Sequence, residues 1–117
     1  MAKRRCISID VYENEGFIKL SNTAKCLYTY MILRSDDEGV VINPSLAAWV
    51  CKAGESEYAE LMDNGFVLKI KGLYVIRHWP AHNRIAPSKV VKSVHKDVIE
   101  KLTVCNNYTY EYQQNIC

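Results

Sequence analysis

The sequence predicts an α+β fold: a three-helix core closed by a β-hairpin, with one more amphipathic helix behind it. Three observations carry that expectation. Ser21, a good helix cap, precedes a strongly apolar stretch of helical period. Two shorter helical stretches follow, punctuated by Asn43-Pro44, by Gly54 and by Asn64-Gly65. Two runs of period two, residues 66–70 and 73–79, are then joined by Lys71-Gly72.

The first helix is expected over about residues 22–34. Ala24, Leu27, Tyr28, Met31 and Ile32 share one face of a 3.6-residue wheel, and Cys26, Tyr30 and Leu33 add apolar surface on the other side. A helix apolar most of the way round belongs in the centre of the fold. Residues 35–39, Ser-Asp-Asp-Glu-Gly, read as a turn, and Val40, Val41 and Ile42 as a short β run. Asn43 then caps a two-turn helix with Pro44 in its first position, and Leu46, Trp49 and Val50 are expected to face inward. A third helix over about 55–64 places Tyr58, Leu61 and Met62 on one face.

In the hairpin a two-residue turn with Gly72 at positive φ pairs Ile70 with Leu73, Leu68 with Val75 and Phe66 with Arg77. That mostly apolar face is expected to meet the helices; the other carries Lys69, Tyr74 and His78. Helix, short strand, helix, helix, hairpin is the order of a winged helix-turn-helix. Behind it, after Pro80 and Pro87, residues 88–102 fit an amphipathic helix. Val91, Val94, His95, Val98 and Leu102 form one stripe, and Lys89, Lys92 and Lys96 a second beside it. The expected domain spans 1–104. The tail, 105–117, alternates Tyr108, Tyr110 and Tyr112, a pattern that admits an edge strand, a partner-binding arm or no fixed structure.

A chain of 117 residues, 49% hydrophobic and 24% charged, suits one domain with one core. No apolar run approaches the ~20 residues of a membrane span, and no apolar segment follows the basic start as in a signal peptide. A cytoplasmic protein without membrane contact is the expectation. Five cysteines at wide spacing, with no Cys-x-x-Cys, argue for reduced thiols, Cys26 and Cys51 buried among them, and against zinc. No cofactor is expected. His78 and His82 would share a helical face, but Pro80 stands between them, so a metal pair is not expected either. No nucleophile elbow, Walker loop or His-Glu-x-x-His occurs, which argues against an enzyme.

Charge is the main compositional signal. The net charge of +2 hides two poles. Asp36, Asp37, Glu38, Glu55, Glu57, Glu60 and Asp63 face Lys52 alone, whereas the stretch from Lys69 to Lys101 holds eight cations against Asp97 and Glu100. Such a pole is either a solvated face or a site for a polyanion. As a nucleic-acid site it comprises Lys3, Arg4 and Arg5 as a flexible arm, Lys69 and Lys71 at the hairpin tip, and Arg84, Lys89, Lys92 and Lys96 behind the hairpin. Tyr74 is the candidate for stacking on a base; Trp79 is expected in the core. The third helix, where such folds usually read bases, carries Glu57, Glu60 and Asp63 instead, which suits a basic protein partner.

The strings MAKRR-x-x-SIDV, DDEG and VI-R-HW-x-x-x-N, in this order and spacing, resemble the N-terminal domain of bacteriophage replisome organisers, winged-helix proteins akin to primosomal DnaD-like domains. The likeness runs from Met1 to about Asn107. It implies a phage or prophage protein that binds origin or single-stranded DNA and recruits replication machinery, with no catalytic residues. The alternatives are a protein-interaction module, such as an adaptor or a phage inhibitor of a host nucleic-acid enzyme, and a transcriptional regulator. Strand state and oligomeric state, a homodimer included, stay open.

Overall fold

Side-chain caps start three of the seven helices among the described residues. The computed structural model describes residues 2–113. Two single-turn helices come first, α1 (Ile9–Tyr12) and α2 (Glu15–Ile18), the second capped by Asn14, which accepts from the Gly16 N–H at 2.8 Å. The central helix α3 (Asn22–Leu33) starts where expected, with the Ser21 hydroxyl accepting from the Ala24 N–H at 3.1 Å. Asn43 caps α4 (Pro44–Cys51) through the Leu46 N–H. In α5 (Glu55–Asp63) Glu57 reaches back to the Gly54 N–H at 2.7 Å.

The five residues expected on the inner face of α3 are all fully buried. Around Tyr28 the rings of Phe17 and Phe66 make edge contacts at centroid distances of 5.3 and 5.8 Å. Edge geometry sets the positive ring rim against the negative face of its neighbour and fixes the packing angle. The rotation of α4 corrects the sequence reading. Ala47 lies inward, while Trp49 is 78% exposed and Val50 is exposed as well. Two turns carry too few periods to fix a helix's rotation. A line of small residues, Ala47, Ala48 and Cys51, lies against the core instead. Cys26 is exposed rather than buried; it is a free thiol, as are Cys6 and Cys51, whereas Cys105 is disulfide-bonded, contrary to the expectation of thiols throughout.

The strands β1 (Val67–Ile70) and β2 (Leu73–Ile76) pair antiparallel in the expected register. Lys71 and Gly72 both have positive φ, 51° and 79°, as a two-residue hairpin turn of matching twist requires. The faces are exchanged relative to expectation. Val67, Tyr74 and Ile76 meet the helices. Leu68, Ile70, Leu73 and Val75 turn the other way, into a second cluster with Val40, Val98 and Leu102. A hairpin covered on both sides is apolar on both, so alternation cannot say which side is which. The short run at Val40 and Val41 lies alongside β2, the Val41 N–H donating to the Tyr74 carbonyl at 2.9 Å.

The amphipathic helix expected over 88–102 is not formed. After the single turn α6 (Trp79–His82), residues 83–95 contain no helix; α7 (Lys96–Ile99) is one turn, and β3 (Leu102–Val104) follows. Val91 and Val94, expected on the buried stripe, are 72% and 87% exposed. The acidic turn is the competitor. The Val91 N–H donates to Asp37 at 2.9 Å and the Ser93 N–H to Glu38 at 2.8 Å. Those donors would otherwise serve a helix that its valines already disfavour. The expected tail is built into the fold as far as Gln113. Its strand β4 (Tyr110–Tyr112) pairs with β3, Arg77 bonds Glu111, and the Tyr112 hydroxyl donates to the Lys69 carbonyl. Residues 114–117 of that tail lie outside the described residues. Among the described residues no helix is long and apolar enough to cross a membrane.

Three distant segments meet at Trp79. Its indole N–H donates to the Asp37 carbonyl at 3.0 Å, the Arg5 guanidinium sits 5.2 Å from the ring centroid, and Gly39 packs directly on the ring. Gly39 has φ of +91°, and a Cβ there would lie 2.6 Å from Trp79 Cγ. Gly39→Ala therefore combines backbone strain with overpacking. We expect it to lower unfolding free energy by on the order of 3 kcal/mol, read as a shift of the urea midpoint; a midpoint like that of the parent chain would contradict this packing.

Candidate nucleic-acid interface

The structure separates the expected cations into those that build the fold and those left free. Lys3 and Arg4 are exposed, but the segment that carries them is no flexible arm. Asn83 bonds both backbone groups of Cys6, at 2.9 and 3.1 Å, and the Ser8 N–H donates to His82 Nδ1 at 2.8 Å. Arg5 corrects the sequence reading outright. Its side chain is 4% exposed, paired with Asp37 at 2.9 Å and donating to the Ser35 carbonyl. A guanidinium enclosed in this way has no face for phosphate.

The hairpin tip contributes little. Lys71 pairs with Asp97 at 3.3 Å. Lys69 lies over the Tyr74 ring at 5.4 Å, and that ring is stacked on Tyr58 with centroids 4.6 Å apart. Tyr74 thus spends its ring within the fold. Trp79 is buried, as expected.

Arg84, Lys89, Lys92 and Lys96 are all exposed, and none has an acidic partner among the described residues. They stand on the connector between α6 and the start of α7. Arg84 and Lys92 line one cleft of about 360 Å³; Lys89 closes a tight turn, its N–H donating to the Ala86 carbonyl at 2.7 Å.

The acids are largely spent. Asp36 accepts from the Glu38 and Val40 N–H groups, while Asp37 and Glu38 hold Val91 and Ser93. The bond from Val91, together with Arg5, keeps the Asp37 carboxyl below its ordinary range. Asp37 thereby has both carboxylate oxygens engaged, one by Arg5 and one by the Val91 N–H. On α5, Glu57 is the cap described above, and Glu60 accepts from the Ser21 N–H and hydroxyl at 2.6 and 2.8 Å. Of the three acids expected to meet a protein, only Asp63 stands exposed and unbonded.

His82 bonds at both ring nitrogens, Nδ1 accepting from Ser8 and Nε2 meeting the Tyr28 hydroxyl at 2.7 Å. It has no lone pair to give a metal. No cluster of three metal-binding side chains occurs among the described residues. Burial pushes His82 down to about 4; burial and then the neighbouring Arg77 charge push His78 down to about 4 as well.

Tyr108 escaped the sequence reading. It has φ of +60°, is 47% exposed, and carries the Arg84 guanidinium 4.0 Å over its ring. Arg84 and Tyr108 together line the 360 Å³ cleft and a second one of about 440 Å³ that reaches to α1 and the start of β1. The local signal was Asn106-Asn107, turn residues that stand directly before the tyrosine alternation. No family model, curated protein or solved structure matches this chain.

The two histidines give the fold a pH dependence of definite sign. Each is neutral in the folded chain down to about pH 4 and takes a proton near 6.5 once unfolded. Protons in that window bind the unfolded chain preferentially, so stability falls as pH drops from 6.5 towards 4. Asp37 and Glu111, held below their ordinary range, begin to lose their contribution as pH falls through the unfolded carboxyl values of 3.8 and 4.5, and so add to the decline at its acid end. The urea midpoint should be level above pH 7 and decline on acidification, losing on the order of 2 kcal/mol by pH 4.5, and His82→Gln should remove about half of the decline, leaving the share of His78. A level profile down to pH 4.5 would contradict it.

Proposed function

We propose that this chain binds DNA through the connector from Arg84 to Lys96, and that it serves DNA replication initiation as the phage replisome organisers it resembles do. In that role it works without catalysis, in the cytoplasm, and hands DNA to a replication or host protein. The observation that carries the reading is the set of four exposed cations on one connector, none of them in an ion pair among the described residues. Phosphates are bound by such charges through counterion release, which needs no base contact. The third helix argues against major-groove reading, since residues 55–63 contain no Lys or Arg.

Lys89→Glu with Lys92→Glu should weaken retention of DNA at least about tenfold, while Lys69→Glu leaves it unchanged. For four phosphate contacts the log–log salt slope should be about −3.6. Retention indifferent to the double reversal would end this reading.

One observation favours a protein-interaction module instead. Trp49 is a large aromatic standing free on α4, with Val50 beside it also exposed, and buried aromatics anchor interfaces. Under this reading Trp49→Ala abolishes concentration-dependent self-association in sedimentation and leaves DNA retention as it was. A wild-type chain that sediments as a monomer at all concentrations excludes the homodimer.

A further inference from the structure

We propose that the 440 Å³ cleft receives one unpaired nucleobase, stacked on Tyr108 with its phosphate on Arg84. This rests on the nucleic-acid reading above and narrows it to single-stranded nucleic acid.

The conformation of Tyr108 is costly. A bulky side chain at φ of +60° strains the backbone by about 1–2 kcal/mol, which Gly would avoid and Asn would lessen. The ring is half exposed, so burial offsets little of that cost. The turn itself is closed by the Tyr108 N–H to the Cys105 carbonyl and does not need an aromatic. What the conformation achieves is a ring presented at the lip of a cleft, with a guanidinium already stacked on it. Arg and aromatic planes are the two surfaces on which splayed bases stack, and Arg also forks onto phosphate.

Three asparagines with unspent amide groups line the same cleft. Asn14 and Asn107 use their Oδ1 atoms on the Gly16 N–H and the Thr109 hydroxyl, which leaves their amide N–H groups available. Asn64 uses its Nδ2 on the Glu60 carbonyl, leaving Oδ1 available. All three line the cleft with Arg84 and Tyr108. Donors and an acceptor beside an aromatic plate match the edge of an unpaired base, which presents both. In a duplex that edge is occupied by the complementary strand.

The experiment measures anisotropy of a fluorescein-labelled oligothymidylate and of a blunt duplex against the wild-type chain, Tyr108→Gly and Tyr108→Phe. Glycine relieves the backbone, so the Gly variant should melt at or above the wild-type temperature while binding the single strand about tenfold more weakly. Phenylalanine should restore that loss, and duplex binding should change in neither variant. Thymidine monophosphate is added as competitor. Displacement at millimolar concentration supports the cleft with a free nucleotide as occupant; ring-dependent binding that resists it supports the cleft with the strand as occupant. Equal binding of the single strand by wild type and Tyr108→Gly overturns the cleft assignment and leaves the connector reading intact. Binding of neither strand form overturns both.

Discussion

Trp79 is the post to which three remote parts of this chain are tied. Its indole takes the Asp37 carbonyl, the Arg5 guanidinium covers it, and Gly39 gives it room. Four residues further on, Asn83 fixes the N-terminal segment by both backbone groups of Cys6. The strings that carry the likeness to phage replisome organisers, MAKRR, DDEG and HW-x-x-x-N, supply Arg5, Asp37, Gly39, Trp79 and Asn83. They meet at this one place, where they are scaffold. A likeness resting on scaffold residues speaks to how the chain folds, and fold by itself does not fix function. The functional argument therefore stands on Arg84, Lys89, Lys92, Lys96 and Tyr108. Of these Tyr108 lies beyond the likeness, which runs to about Asn107, and none of the five is in its most specific strings.

What the sequence made legible follows the range of the forces involved. Ser21 capping, the inner face of α3, the end of α5 and the hairpin register are set by residues within a few positions of one another, and each came out as expected. The faces of the hairpin did not, because both are apolar and the choice depends on what covers them. The helix over 88–102 failed for a different reason. Its stripe was real, but Asp37 and Glu38, more than fifty residues upstream, take the N–H groups of Val91 and Ser93. Nothing near Val91 signals that competitor. The site divides in the same way: Arg5 and Arg84 look alike in sequence, yet one is enclosed by Asp37 and Trp79 and the other is open.

The missing helix changes the electrostatics of the site as well as its shape. On a helix, Lys89, Lys92 and Lys96 would project about 5–6 Å apart from a single face. On a non-helical connector the three- and four-residue spacings can open to at most about 10 and 14 Å. Wider spacing lowers the mutual repulsion of the ammonium groups, which goes as the inverse of distance. Under the proposed reading it also lets a flexible strand's phosphates be met one at a time. Of the carboxylates that hold the connector open, Asp37 is paired with Arg5, and Asp37 and Glu38 line the same cleft as Arg84 and Lys92. The acidic turn thus acts on the connector from a distance: by taking the Val91 and Ser93 N–H groups it denies residues 88–95 their helix and sets where their lysines stand.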